Sequence, residues 1–224
     1  MSIEFLKAYR SVFWDFDGVI KDSVKVKSDA FEQLFFPFGK KVIERVRNHH
    51  EENGGMSRFE KLPIYIEWAG QNITQEMFDE YATRFSILVK QKVIDSKWVT
   101  GVFEYLSGNY NKQEFFLVTA TPQQEIEDIL ISLKIDNFFK EVVGSPTKKY
   151  RAVEFIMGKY SILSESSVMI GDSRSDYNAS NINNIQFVSR RTNLNKELQK
   201  DLNCLMLDNF LWIDLKLYKN LEAS

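Results

Sequence analysis

Two textures of apolar spacing divide the chain. In the first, short unbroken apolar runs stand between helical segments: Val12-Phe13-Trp14, Phe115-Phe116-Leu117-Val118 and Val168-Met169-Ile170. Such runs suit strands buried on both faces. Weaker runs at 141–143, 185–189 and 205–207 read as further strands, the last as an edge. Helical spacing follows the strands. Ile126, Ile129, Leu130 and Leu133 share one face of a helix that Thr121 caps, with Pro122 at its first position and Gln124 completing a capping box. Residues 149–158, 174–183 and 193–200 read as helices, and one more is predicted after Asp208. Strands alternating with helices predict an α/β fold with a mostly parallel sheet and helices on both faces.

The second texture runs from Asp22 to about Asp95. Strand signals nearly vanish there. Val26, Ala30, Phe31 and Leu34 fit one helix face, ended by Pro37 and Gly39. Val42, Ile43, Val46 and His50 suggest a second helix, stopped by Asn53-Gly54-Gly55. Ser57 and Glu60 form a capping box for a third. Asn72 or Thr74 caps a long fourth helix. Four helices in about seventy residues read as a bundle. The predicted organisation is an α/β core, residues 1–20 and 97–224, with a helical domain, residues 21–96, inserted after the first strand.

Composition narrows the class. The 224 residues suit one domain with an insertion, or two small domains. Eighteen phenylalanines predict a bulky aromatic interior. A net charge of −2 gives no reason to expect nucleic acid or an acidic membrane as partner. A lone Cys204 excludes an internal disulfide and a cysteine zinc cluster. Glu4, Lys7 and Arg10 precede any long apolar run, unlike a secretory signal, and no run approaches a membrane span. The expectation is a soluble cytoplasmic protein; the pattern leaves its oligomeric state open.

Ligands of open parallel sheets bind beyond the carboxyl ends of the strands, so the residues there carry the candidate chemistry. The first strand ends in Asp15-Phe16-Asp17-Gly18. Carboxylates two apart on extended chain point the same way, and Gly18 permits a sharp turn. Like charges so close need a cation, a proton or solvent to offset them; otherwise the aspartates merely cap a turn. The second apolar run ends in Thr119. The strand at 141–143 leads into Ser145-Pro146-Thr147-Lys148-Lys149. Ile170 is followed by Gly171-Asp172, with Asp176 four residues on. Carboxylates, a hydroxyl and a lysine on one edge suit a hard cation such as Mg²⁺ together with a phosphate.

The ordered set Asp15-x-Asp17-Gly18, Thr119, Lys148 or Lys149, and Gly171-Asp172-Ser173-x-x-Asp176 resembles the haloacid dehalogenase superfamily over nearly the whole chain. The insertion after the first motif resembles that superfamily's type 1 cap, and the subgroup most resembled holds phosphoglycolate phosphatase and β-phosphoglucomutase. The resemblance implies a Rossmann-like core with a helical cap. It makes Asp15 a nucleophile that forms an aspartyl-phosphate and Asp17 the acid and base. It gives Mg²⁺ to Asp15, the backbone carbonyl of Asp17, and Asp172. Asp176 supports the metal directly or from behind, or serves only as the capping partner of Ser173. Thr119 and Lys149 would hold the phosphate, Lys149 rather than Lys148 because of its spacing to Val153. Asp17 itself argues against dehalogenases and phosphonatases, which lack that second acid.

The cap loop His49-His50-Glu51-Glu52-Asn53-Gly54-Gly55-Met56-Ser57-Arg58 lies between two predicted helices. Gly55-x-Ser57-Arg58 resembles the β-phosphoglucomutase version. Arg58 then either contacts the substrate's remote part or phosphate, or sits on a solvated helix face. The histidines read as surface or loop residues, with one of them a candidate to touch substrate. Hinges fall near 20–22 and 96–98. The expected function is a Mg²⁺-dependent phosphatase of a small phosphorylated metabolite, plausibly a sugar phosphate. The alternatives are a phosphomutase of the β-phosphoglucomutase type, a receiver-like phosphoacceptor domain, or a binding protein with a vestigial site.

Overall fold

The three strongest apolar runs become the three central strands of a computed structural model that describes residues 3–211. They are β1 (Ser11–Trp14), β2 (Glu114–Pro122) and β4 (Ser167–Gly171), with β3 (Glu141–Ser145), β5 (Gln186–Arg190) and β6 (Leu205–Leu207). All six pair in parallel, in the order β3-β2-β1-β4-β5-β6. The register sets Phe13 between Phe116 and Met169, and Trp14 between Leu117 and Ile170. Alternate side chains serve opposite faces. Trp14, Phe115 and Leu117 join the larger core cluster, while Phe13, Phe116 and Met169 join a second beneath the other face. The run is apolar throughout because both faces are covered.

The insertion between β1 and β2 holds α1 (Val24–Phe35), α2 (Lys40–Glu52), α3 (Arg58–Trp68) and α4 (Gln75–Asp95), and α5 (Val102–Asn109) returns the chain to the sheet. Ser57 and Glu60 form the expected capping box, and the Thr74 hydroxyl accepts from Met77 N. Aromatic packing fixes the bundle: the Phe31 ring lies 4.0 Å from Phe85 and 5.2 Å from Tyr65. Two chain segments tie the bundle to the core side by side. Asp22 N donates to Lys97 O, and Val99 N to Ile20 O. The Lys21 ammonium lies over the Trp98 ring and donates to Ile94 O.

The remaining helices are α6 (Gln123–Leu133), α7 (Lys149–Tyr160), α8 (Arg174–Ile182) and α9 (Lys196–Asp201). One expectation fails at α6. Thr121 is not its cap: β2 continues through Pro122, which pairs with Ser145 of β3, and Pro122 occupies the cap position. Gln124 donates to Asp128 one turn on instead of closing a capping box. The helix expected after Asp208 lies outside the described residues. Among the described residues, no helix is long and apolar enough to cross a membrane.

Candidate active site

The sheet order reverses between β1 and β4, and the crevice at that switch point is where open α/β sheets bind ligands. β1 delivers Asp15 and β4 delivers Asp172. The first turn of α8 adds Asp176, and the first residue of α7 adds Lys149. Carboxylate oxygens of Asp15, Asp172 and Asp176 lie within 4.8 Å of one another. Lys149 Nζ sits 2.8 Å from Asp15 Oδ1 and 2.6 Å from Asp176 Oδ1. Phe16 N donates to Asp15 Oδ1 at 2.8 Å and aims that carboxylate. Asp176 is both capping partner and site residue. Its Oδ2 accepts from Ser173 N and Oγ, while its Oδ1 faces Lys149. Lys148 points away and pairs with Glu60 of the insertion.

Three acids against one lysine leave the centre short of positive charge. Burial, then Asp176, lift the Asp15 carboxyl from its ordinary 3.8 to about 7, against the pull of Lys149. Burial, Asp15 and Asp176 push Asp172 well above its ordinary value. Burial lowers the Lys149 ammonium, but Asp15 and Asp176 outweigh it and raise it. Gly18 belongs to the same geometry: at φ +79°, it lies where a methyl would overlap the Asp172 carboxylate.

Asp17 stands apart from that cluster. Its Oδ1 accepts from Ser23 Oγ at 2.6 Å; its Oδ2 accepts from Lys27 Nζ and from Thr121 Oγ1 at 3.1 Å. Burial raises this carboxyl, but Lys27 and the hydrogen bonds from Lys27, Ser23 and Thr121 hold it below its ordinary value. Its side chain is thus committed to donors. Thr119 is buried within β2, three residues before its end, where its hydroxyl accepts from Thr121 N at 3.2 Å. Thr121 rather than Thr119 lines the central cavity, together with Lys27. From the sequence, Thr121 competes with Thr119 as the site hydroxyl but reads better as a helix cap, and Lys27 carries no site signal.

The insertion closes over this edge and leaves a cavity of about 40 Å³. Gly55 lies so near Ser173 and Ser175 that a methyl there would overlap Ser175 Oγ. Arg58 is not on a solvated face: it is 5% exposed and lines the cavity. Its guanidinium grips both oxygens of Glu125 on α6, donates to Ser86 Oγ and lies over the Phe85 ring. His50 also departs from expectation, being buried against Phe31 at the cavity wall. The signal was present in its placement on the apolar face of α2, two turns from Val42 and Ile43.

Fold and site define an α/β protein whose buried acidic centre, at the carboxyl edge of a parallel sheet, is covered by a helical cap. The chain belongs to the haloacid dehalogenase-like hydrolases, whose family model matches residues 12–189. It is 26% identical over 214 residues to a phosphoglycolate phosphatase of Pseudomonas fluorescens, covering 89% of this chain and 76% of that one. Its fold matches a predicted phosphoglycolate phosphatase from Haemophilus somnus 129PT at a TM-score of 0.73 and 17% identity, over 96% and 98% of the two chains. It matches β-phosphoglucomutase from Clostridium difficile at the same TM-score and identity, over 95% and 96%.

Proposed function

We propose that this chain is a phosphatase that hydrolyses a small phosphorylated metabolite through an aspartyl-phosphate on Asp15. The observation that carries the reading is the meeting of Asp15, Asp172, Asp176 and Lys149 around one point. In the first step a carboxylate oxygen of Asp15 attacks phosphorus, the ester P–O bond breaks, and Asp17 gives a proton to the leaving oxygen. In the second, Asp17 takes a proton from water, whose oxygen attacks phosphorus and returns Asp15 as a free carboxylate. Lys27 holds Asp17 ionised, which readies it for the second step. Displacement of Lys27 by the arriving ester would let Asp17 take up the proton that the first step needs. Lys149 and Phe16 N keep Asp15 oriented, and Lys149 and Thr119 are assigned to the phosphate oxygens.

Mg²⁺ fits this donor set: two buried carboxylates and a half-buried one, with one opposing ammonium, are an oxygen-rich, negatively charged cluster of the kind hard cations take. Asp15, the Asp17 carbonyl and Asp172 would hold it, with Asp176 in support. When bound, it would offset the repulsion between Asp15 and phosphate, roughly 4 kcal/mol per unit-charge pair at ~4 Å and intermediate dielectric.

The cap, residues 21–96, is assigned to move about 20–22 and 96–98. A cavity of about 40 Å³ is far below the roughly 300 Å³ or more of small-molecule sites, which supports a lifting of the cap as the ester enters. Closure then excludes water. The Arg58 guanidinium, expected at the substrate, is taken up by Glu125, and the cap loop does not separate a phosphatase from a mutase. Phosphate release across a panel of phosphorylated metabolites, with Mg²⁺ and with EDTA, tests the reading. Free phosphate that disappears with EDTA supports it. An isomeric sugar phosphate without free phosphate would establish a mutase, and inertness toward every ester would overturn the assignment.

A further inference from the structure

The insertion brings three cations to the cavity wall, and two already have counterions. Lys27 is held by Asp17, and Arg58 by Glu125. Lys61, on α3, is 1% exposed and forms no ion pair among the described residues. Its neighbours within hydrogen-bond reach belong to His50: Nδ1 at 2.8 Å and the backbone O at 3.5 Å. Asp17 and Glu60 act on it only at longer range. A buried ammonium without a counterion is costly, and chains keep such a cost where a site uses it.

The chemistry of the pair fixes its hydrogens. An ammonium has only donors, so His50 Nδ1 accepts from Lys61, and the neutral imidazole carries its hydrogen on Nε2. His50 is neutral, since burial, then Lys61 and Lys27, hold it well below its ordinary 6.5. That Nε2–H is buried and has no acceptor among the described residues. Two side chains at the cavity wall therefore offer unused donors, and one of them is a lysine with no counterion beside it.

We propose that Lys61 and His50 form the subsite for a second anionic group, a carboxylate or a phosphate, on the leaving portion of the ester. A hydroxyl would satisfy the hydrogen bond and leave the charge unanswered; an anion answers both. Burial and Lys27 depress the Lys61 ammonium to about 7, so an arriving anion also secures its proton. The division of labour is physical. The core carries the phosphoryl chemistry and the cap carries the anion subsite, so a doubly anionic ester draws the two halves together. The inference rests on the phosphatase reading and adds substrate selection to it.

Steady-state kcat/KM for two substrate pairs tests it without a variant. The pairs are 2-phosphoglycolate against ethyl phosphate, and glucose 1,6-bisphosphate against glucose 1-phosphate. The added anion is expected to raise kcat/KM by about ten-fold or more in one pair, and that pair tells carboxylate from phosphate. In Lys61→Met the favoured ratio falls toward one, while Lys61→Arg keeps a preference for the anion. A wild-type ratio near one in both pairs would overturn the subsite, as would a ratio unchanged in Lys61→Met. If no ester is hydrolysed by the wild type, the phosphatase reading itself has failed and the subsite falls with it.

Discussion

Asp15 bears opposing forces, and Asp172 beside it shares them. Lys149 pulls the Asp15 carboxyl toward ionisation, while burial and Asp176 push it the other way. In Asp15→Asn the amide presents no carboxylate to phosphorus. Turnover is expected to drop by about 10⁴-fold or more, read as phosphate release under saturating ester; unchanged turnover would refute the nucleophile. Asp17→Asn separates the two halves of the chemistry. An alkyl phosphate needs a proton on its leaving oxygen and p-nitrophenyl phosphate barely does. The variant's kcat/KM should fall by about 10²-fold or more for the alkyl ester and distinctly less for the aryl ester. Equal losses would deny Asp17 its role as acid. The acids were legible in the sequence because strand ends fix where they point. Thr121, Lys27 and Lys61 were not. Thr121-Pro122 is a local helix-start signature, and the pairing of Pro122 with Ser145 overrode it. Lys27 and Lys61 sit on helices of the insertion, whose orientation toward the core depends on packing between distant segments.

Elements were most readable where each one carries its own start or stop. The Ser57–Glu60 capping box, the Thr74 cap and the central apolar runs depend on residues a few positions apart. The grip of the cap on the core has no such local signature, because Arg58 and Glu125 are 67 residues apart. That pair is almost wholly buried and joins α3 to α6. Removing one partner of a buried pair typically costs about 3–5 kcal/mol, since the other is left uncompensated. Here lifting the cap returns Arg58 to water, so the loss should appear as opening rather than global unfolding. Glu125→Ala is expected to accelerate amide exchange across residues 53–57, where the loop rests on Ser173 and Ser175. Gly55→Ala attacks the same contact sterically, since its methyl would overlap Ser175 Oγ, and should raise KM more than it lowers kcat. Exchange unchanged in Glu125→Ala would mean that the ion pair does not hold the cap.

At the scale of the whole molecule, the acidic centre sets how stability responds to pH and metal. Asp15 has a folded-state pKa of about 7 against an ordinary 3.8, and Asp172 is shifted in the same direction. Below 3.8 the carboxyl is protonated in both folded and unfolded chains. As pH rises from there toward 7, the unfolded chain ionises first, so the metal-free protein loses the stability this group contributes. On the proposed reading Mg²⁺ would reverse the balance by favouring the ionised acids, and it would have to displace their protons to bind. Ligand at about 100 times its Kd adds about 2.7 kcal/mol, which for a chain of this size is several degrees in Tm. The Tm increment from Mg²⁺ should therefore be clear near about pH 7.5 and shrink toward about pH 5, where protons compete for the same oxygens. In Asp172→Asn the increment should nearly vanish at both pH values, while the metal-free variant becomes more stable than the metal-free wild type at the higher pH, because one buried like charge is gone. A Mg²⁺ increment indifferent to both pH and Asp172 would place the cation elsewhere on the molecule.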